Sequence, residues 1–140
     1  MSTLSPRLAR IVDALPLAPG MRVLEIGCGP GAMAREMARR IGEGQVVAID
    51  RSAKAIAQAV SGSGAQIAAG RLVFRTVAAE RFTLDKGEAP FDLVVAIRVG
   101  ALDGRHPEAG ALARAAIARV LGPGGAVFID DGEGVRTLAI

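Results

Sequence analysis

Val23-Leu24-Glu25-Ile26 runs into Gly27-Cys28-Gly29-Pro30-Gly31, and that turn runs directly into Ala32-Met33-Ala34-Arg35-Glu36-Met37-Ala38-Arg39-Arg40. The first four residues form a short apolar run of the kind that makes a buried parallel strand. The last stretch sets Met33, Met37 and Ile41 at four-residue spacing, the apolar stripe of a helix. A strand that enters a helix through a Gly-x-Gly-x-Gly turn lets a ligand approach bare backbone. No side chain stands in the way, and the amides at the helix N-terminus point outward. Glu25 lies two residues before the first glycine, at the strand's carboxyl end, where it can meet a cation or hydroxyl groups.

The remainder of the chain repeats the alternation. A helix is predicted from Leu4 to Leu15, ended by Pro16 and Pro19-Gly20. Strands are predicted at Arg22 to Ile26, Gln45 to Ile49 with Asp50 at its end, Arg71 to Thr76, Phe91 to Ile97 and Ala126 to Asp130. Between them, Ser52 can cap a short helix from Ala53 to Val60. Pro107 can open a longer helix running to Leu121, with Leu112, Ala113, Ala116, Ile117 and Val120 on its inner side. Gly122-Pro123-Gly124-Gly125 should terminate that helix. Strands that are apolar on both faces, alternating with helices, predict a doubly wound, mostly parallel α/β sheet of five parallel strands. Val135 to Ile140 can turn back as one short antiparallel strand. Glu25, Asp50, Arg98, Asp130 and Asp131 then all fall at strand C-termini, the edge where such sheets bind ligands.

Composition narrows the classes. A chain of 140 residues suits one domain, with residues 1–20 as an N-terminal helix and linker. No apolar stretch reaches the roughly eighteen residues of a membrane span. Met1 to Arg10 lacks the pattern of a secretory signal, and the single cysteine, Cys28, allows no intramolecular disulfide, so a soluble cytoplasmic protein is expected. The net charge of +3 comes from basic residues spread along the chain. With no Trp, no Tyr and four Phe in or beside strand-like runs, stacking platforms for nucleic acid are missing.

The glycine turn and its flanking blocks resemble class I S-adenosylmethionine-dependent methyltransferases, and the resemblance extends from about Gly20 onward. Gly27-x-Gly29-x-x-Ala32 also fits the nicotinamide-dinucleotide fingerprint. A pyrophosphate beside Glu25 would be repelled, whereas the ammonium and sulfonium of S-adenosylmethionine would be attracted. The resemblance implies that Gly27, Cys28, Gly29 and Gly31 pass under the methionine part of the cofactor, with Glu25 facing its amino group. It implies that Asp50 accepts the ribose hydroxyls, although Asp50 could instead only cap the helix that follows. Arg51 and Ser52 would flank the adenine, and Ala96 would supply a carbonyl near the cofactor. Family members often carry an acidic adenine contact after the third strand. Ala78 holds that place here, leaving Ala79 to offer its amide or Glu80 to swing in. Phe91-Asp92-Leu93-Val94-Val95 and Arg119 to Gly125 match later family signatures that serve the fold.

Catalysis is less legible. Ala96-Ile97-Arg98-Val99 replaces the Asn/Asp-Pro-Pro-aromatic run of enzymes that methylate base amines, which disfavours that class. His106, the only histidine, stands where a general base could act, or serves as a surface residue or helix cap. Arg98 either holds a substrate carboxylate or phosphate, or pairs with Asp103 or Asp130. Asp130-Asp131 resembles part of the magnesium site of catechol-type O-methyltransferases, but Arg98 stands near the acidic position such a site also needs, so no metal ligand is assigned and magnesium stands as a minor alternative. Cys28 reads as a small packing residue. Two functions stand: methyl transfer from S-adenosylmethionine, giving S-adenosylhomocysteine, to a small-molecule substrate, or a non-catalytic cofactor-binding or interaction domain completed by a partner chain. The edge beside the fifth strand should be covered by the Val135 to Ile140 hairpin, the alternative being a homodimer across it.

Overall fold

A computed structural model describes residues 4–140. The chain opens with α1 (Pro6–Ala14), where Ser5 accepts the Leu8 amide at 3.2 Å and Pro6 begins the first turn. There follow β1 (Arg22–Ile26), α2 (Ala32–Ile41), β2 (Gln45–Asp50), α3 (Ala53–Ser61), α4 (Gly64–Ala68) and β3 (Leu72–Thr76). A 3-10 turn at Ala79–Arg81 leads toward β4 (Phe91–Ile97), then α5 (Pro107–Val120), β5 (Leu121–Asp130) and β6 (Val135–Leu138). The six strands form one sheet in the order β3-β2-β1-β4-β5-β6. All neighbours are parallel except β5 and β6. The chain winds outward from β1 through β2 to β3, then returns to β4 on the other side of β1. Strand order therefore reverses between β1 and β4, and a crevice must open above their carboxyl ends.

Strand alternation divides the interior into two cores. On one face Val23, Val46, Leu93 and Val95 pack with Ile11 and Val12 of α1, Met33, Met37 and Ile41 of α2, and Ile56 of α3. On the other, Leu24, Ile26, Val47, Ile49 and Val94 pack with Ala113, Ile117 and Val120 of α5. Among the described residues no α-helix covers β3 on this second face. The loop from 82 to 90 crosses it instead, burying Phe82. Two arginines clip that loop down: Glu88 meets Arg22 at 2.9 Å and Arg75 at 3.0 Å. The Arg22 guanidinium also lies 4.7 Å above the Phe91 ring.

Three sequence expectations change. Leu112 is 61% exposed, because the buried stripe of α5 centres on Ala113, Ile117 and Val120 and Leu112 falls about 100° to its side. The helix ends at Val120, and the fifth strand begins at once with Leu121. The Gly122 to Gly125 stretch forms a bulge within that strand: β4 advances only from Phe91 to Leu93 while β5 advances from Leu121 to Ala126. The C-terminal hairpin forms as expected, pairing Asp130 with Val135 and Val127 with Leu138. Among the described residues no helix is long and apolar enough to cross a membrane.

Candidate active site

The glycine turn is strapped to the neighbouring strand. The amides of Gly27 and Cys28 both donate to the Ile49 carbonyl, at 2.8 and 3.0 Å. Gly27, Gly29 and Gly31 all take positive φ, at 74°, 53° and 89°, but a side chain would meet different surroundings at each. A Cβ on Gly27 would lie 3.0 Å from Val99 Cγ2. One on Gly31 would lie 3.1 Å from atoms of Ala59, Arg35 and Phe74 at once. One on Gly29 would meet nothing within 4 Å. Two of these glycines thus serve packing, and Gly29 keeps open space open.

Asp50 ends β2 and closes the turn from the side. Its Oδ2 accepts the Gly29 amide at 2.9 Å, and its Oδ1 accepts the Ser52 amide at 2.9 Å. Ser52 in turn caps α3 by accepting the Ala55 amide at 3.1 Å. Asp50 therefore organises the loop before α3, while each carboxylate oxygen retains a lone pair for a further donor.

Glu25 lies beneath the turn. It shares the sheet face of Val23, is only 4% exposed, and its Oε1 has no hydrogen-bond partner. Burial, and then the negative charge of Asp50, push its carboxyl up to about 8. The sequence suggests a standing anion here. Without a ligand this carboxyl is instead mostly neutral at pH 7. Cys28 is buried beside it, and burial and the two neighbouring acids push its thiol far above the usual range, which makes it inert.

A cavity of about 980 Å³ opens over the reversal point. Gly27, Asp50, Arg51, Ala79 and Glu80 line one end, and Arg98 and His106 line the other. Of the remaining candidates, Glu25, Cys28 and Gly31 are buried beneath the turn and Ala96 within β4. Gly29 and Ser52 flank the cavity through their bonds to Asp50. Sequence reasoning missed Val99, Gly100 and Arg105, which also line the wall. Gly100 offers a signal in hindsight: a Cβ there would lie 2.6 Å from the His106 ring, and its carbonyl accepts the His106 amide at 3.1 Å.

His106 occupies the N-cap position of α5, but its side chain makes no capping bond. Arg98 takes a left-handed backbone, φ 57°, the one residue other than glycine to do so among those described. Neither acid foreseen as its partner pairs with it. Asp103 is bound by Arg105 at 2.8 Å, which holds its carboxyl below the usual range, and Asp130 Oδ1 accepts the Gly132 amide at 2.7 Å. Asp131 caps the Glu133 amide and pairs with Arg136 at 3.4 Å. Among the described residues, no group of three or more His, Cys, Asp and Glu side chains gathers as a metal site.

Comparison with known proteins agrees with this geometry. The methyltransferase domain family matches residues 23–125. Trans-aconitate 2-methyltransferase of Streptomyces avermitilis is 34% identical over 88 residues, covering 63% of this chain and 31% of that protein. The crystal structure of the [4+2]-cyclase SpnF superposes with a TM-score of 0.71 at 27% identity, over 88% of this chain and 43% of that one. A methyltransferase from Thiobacillus denitrificans in complex with S-adenosylhomocysteine gives a TM-score of 0.68 at 28% identity, over 90% of this chain and 48% of that one. The chain thus spans about a third of this curated relative and under half of these two structures. It belongs to the methyltransferase domain family, of the class I S-adenosylmethionine-dependent kind.

Proposed function

We propose that the chain binds S-adenosylmethionine across the ends of β1, β2 and β3 and transfers its methyl group to a small molecule held at the β4–α5 end of the cavity. The observation that carries this reading is the unpartnered Oε1 of Glu25, an acceptor buried directly under an open glycine turn. A buried carboxyl oxygen without a donor is costly, and a ligand ammonium would relieve it. The remaining residues fit the same cofactor. Gly29 leaves space where any side chain would project, and Asp50 has lone pairs for the ribose hydroxyls. Arg51, Ser52, Ala79 and Glu80 would flank the adenine, and Ala96 would contribute main chain. The carbon–sulfur bond of the bound sulfonium supplies an electrophilic methyl group.

This chain's own part is then to position the acceptor. Arg98 and His106 would hold it in line and exclude water, and His106 would take a proton where the acceptor atom carries one. Proximity of this kind supplies much of the rate in a one-step displacement. Residues 1–140 would act as one cofactor-binding domain.

The similarity to SpnF, a [4+2]-cyclase, favours a second reading, in which this fold does not transfer a methyl group. Incubation with S-adenosylmethionine carrying a deuterated methyl, over a panel of small acceptors, separates the two by mass spectrometry. A labelled product formed with S-adenosylhomocysteine supports transfer. Cofactor binding with no labelled product across the panel supports the second reading.

A further inference from the structure

Arg98 follows β4 in a backbone conformation that is strained for any residue with a side chain, and such strain persists only where the surroundings fix it. Two contacts do so. The Arg98 amide donates to the Asp130 carbonyl at 2.9 Å, and Arg105 Nη2 donates to the Arg98 carbonyl at 3.0 Å. The side chain then runs beside Gly132, where a Cβ would stand 3.6 Å from Arg98 Nη1. Asp103, Asp130 and Asp131 surround this corner, yet each is engaged elsewhere. Asp103 pairs with Arg105, Asp130 holds the Gly132 amide, and Asp131 pairs with Arg136. The Arg98 guanidinium has no carboxylate partner among the described residues. The fold thus fixes the Arg98 main chain at the cavity wall, while its side chain is exposed and the three acids bond to other groups.

Resting on the methyl-transfer reading above, we propose that the acceptor is an anion, bearing a carboxylate or a phosphate, and that Arg98 binds that group. A guanidinium presents two parallel donors that suit either oxyanion. Arg105, already committed to Asp103, acts by fixing the Arg98 main chain. The cavity wall also carries three acids: Asp50, bonded to the Gly29 and Ser52 amides, Glu80 in the 3-10 turn and Glu108 in the first turn of α5.

The test uses the full chain saturated with S-adenosylhomocysteine, its binding first measured by calorimetry. Succinate, inorganic phosphate and uncharged succinamide are then titrated and followed by NMR shifts. Saturation by succinate or by phosphate is expected, and which one binds assigns the oxyanion class; succinamide should not saturate. Arg98→Gly should weaken anion binding at least tenfold, and Arg98→Lys by less. The same Gly variant should hold S-adenosylhomocysteine within twofold and melt no lower than the parent, since glycine accepts positive φ. Saturation by neither anion, equal affinity in Arg98→Gly, or equal binding of succinamide would overturn the proposal. Failure of S-adenosylhomocysteine to bind would instead count against the methyl-transfer reading, and the same titration without it would still decide the role of Arg98.

Discussion

Replacing Glu25 by glutamine should stabilise the ligand-free protein, and increasingly so as the pH rises. Burial and Asp50 move the Glu25 carboxyl from an ordinary 4.5 to about 8 in the folded chain. Between those two values the folded state holds a proton that the unfolded state has released, so stability falls as pH increases through that window. Each unit of displacement is worth about 1.4 kcal/mol, so the loss is about 3 kcal/mol by pH 7 and about 5 kcal/mol once the carboxyl is fully ionised. Below pH 4.5 both states are protonated and the effect vanishes. Glutamine keeps the shape and cannot ionise. Urea unfolding of both proteins at pH 5, 7 and 8.5 isolates the residue, because every other titrating group cancels in the difference. The gap should be small at pH 5 and open to several kcal/mol at pH 8.5. Parallel pH profiles would refute the argument, showing that Glu25 meets water or a donor in solution.

The glycines of the turn should separate packing from binding. Gly31→Ala should cost about 1–3 kcal/mol of stability, since its Cβ meets three neighbours at 3.1 Å and its φ is 89°. Gly29→Ala should cost only about 1 kcal/mol, the price of a left-handed alanine, while weakening cofactor binding by at least tenfold on calorimetry. Equal effects of the two on binding would count against an open space reserved at Gly29. Deleting residues 135–140 should expose the edge of β5 and cause aggregation or a lower melting temperature, checked by light scattering and thermal melts. A truncated chain that stays monomeric and equally stable would show that β6 guards nothing.

Much of the fold could be read from the chain because its signals are local. The apolar runs at Arg22–Ile26, Gln45–Asp50 and Phe91–Ile97 are buried on both faces, and such runs need no distant partner to be recognised. The glycine turn announced itself for the same reason. Leu112 misled because an apolar residue can flank a buried stripe without joining it. The bulge at Gly122–Gly125 misled because the same residues that end a helix can also interrupt a strand. The site was legible only in part. Asp50 and the glycines were proposed from the local motif. The ionisation of Glu25 depends on what the fold stacks above and below it. The strained backbone of Arg98 depends on Asp130 and Arg105, which no spacing rule connects to it. The clip of Arg22 and Arg75 on Glu88 joins residues far apart in sequence, beyond the reach of periodicity.

The most direct test of the central claim is calorimetric titration of the chain with S-adenosylhomocysteine at pH 7, in buffers of different ionisation enthalpy, beside the same titration with a nicotinamide dinucleotide. Saturable one-to-one binding of S-adenosylhomocysteine is expected, with release of close to one proton as the ligand ammonium ionises Glu25. That release should be absent in Glu25→Gln, and the dinucleotide should bind far more weakly or not at all. No saturable binding of S-adenosylhomocysteine, or a dinucleotide that binds as tightly, would contradict it.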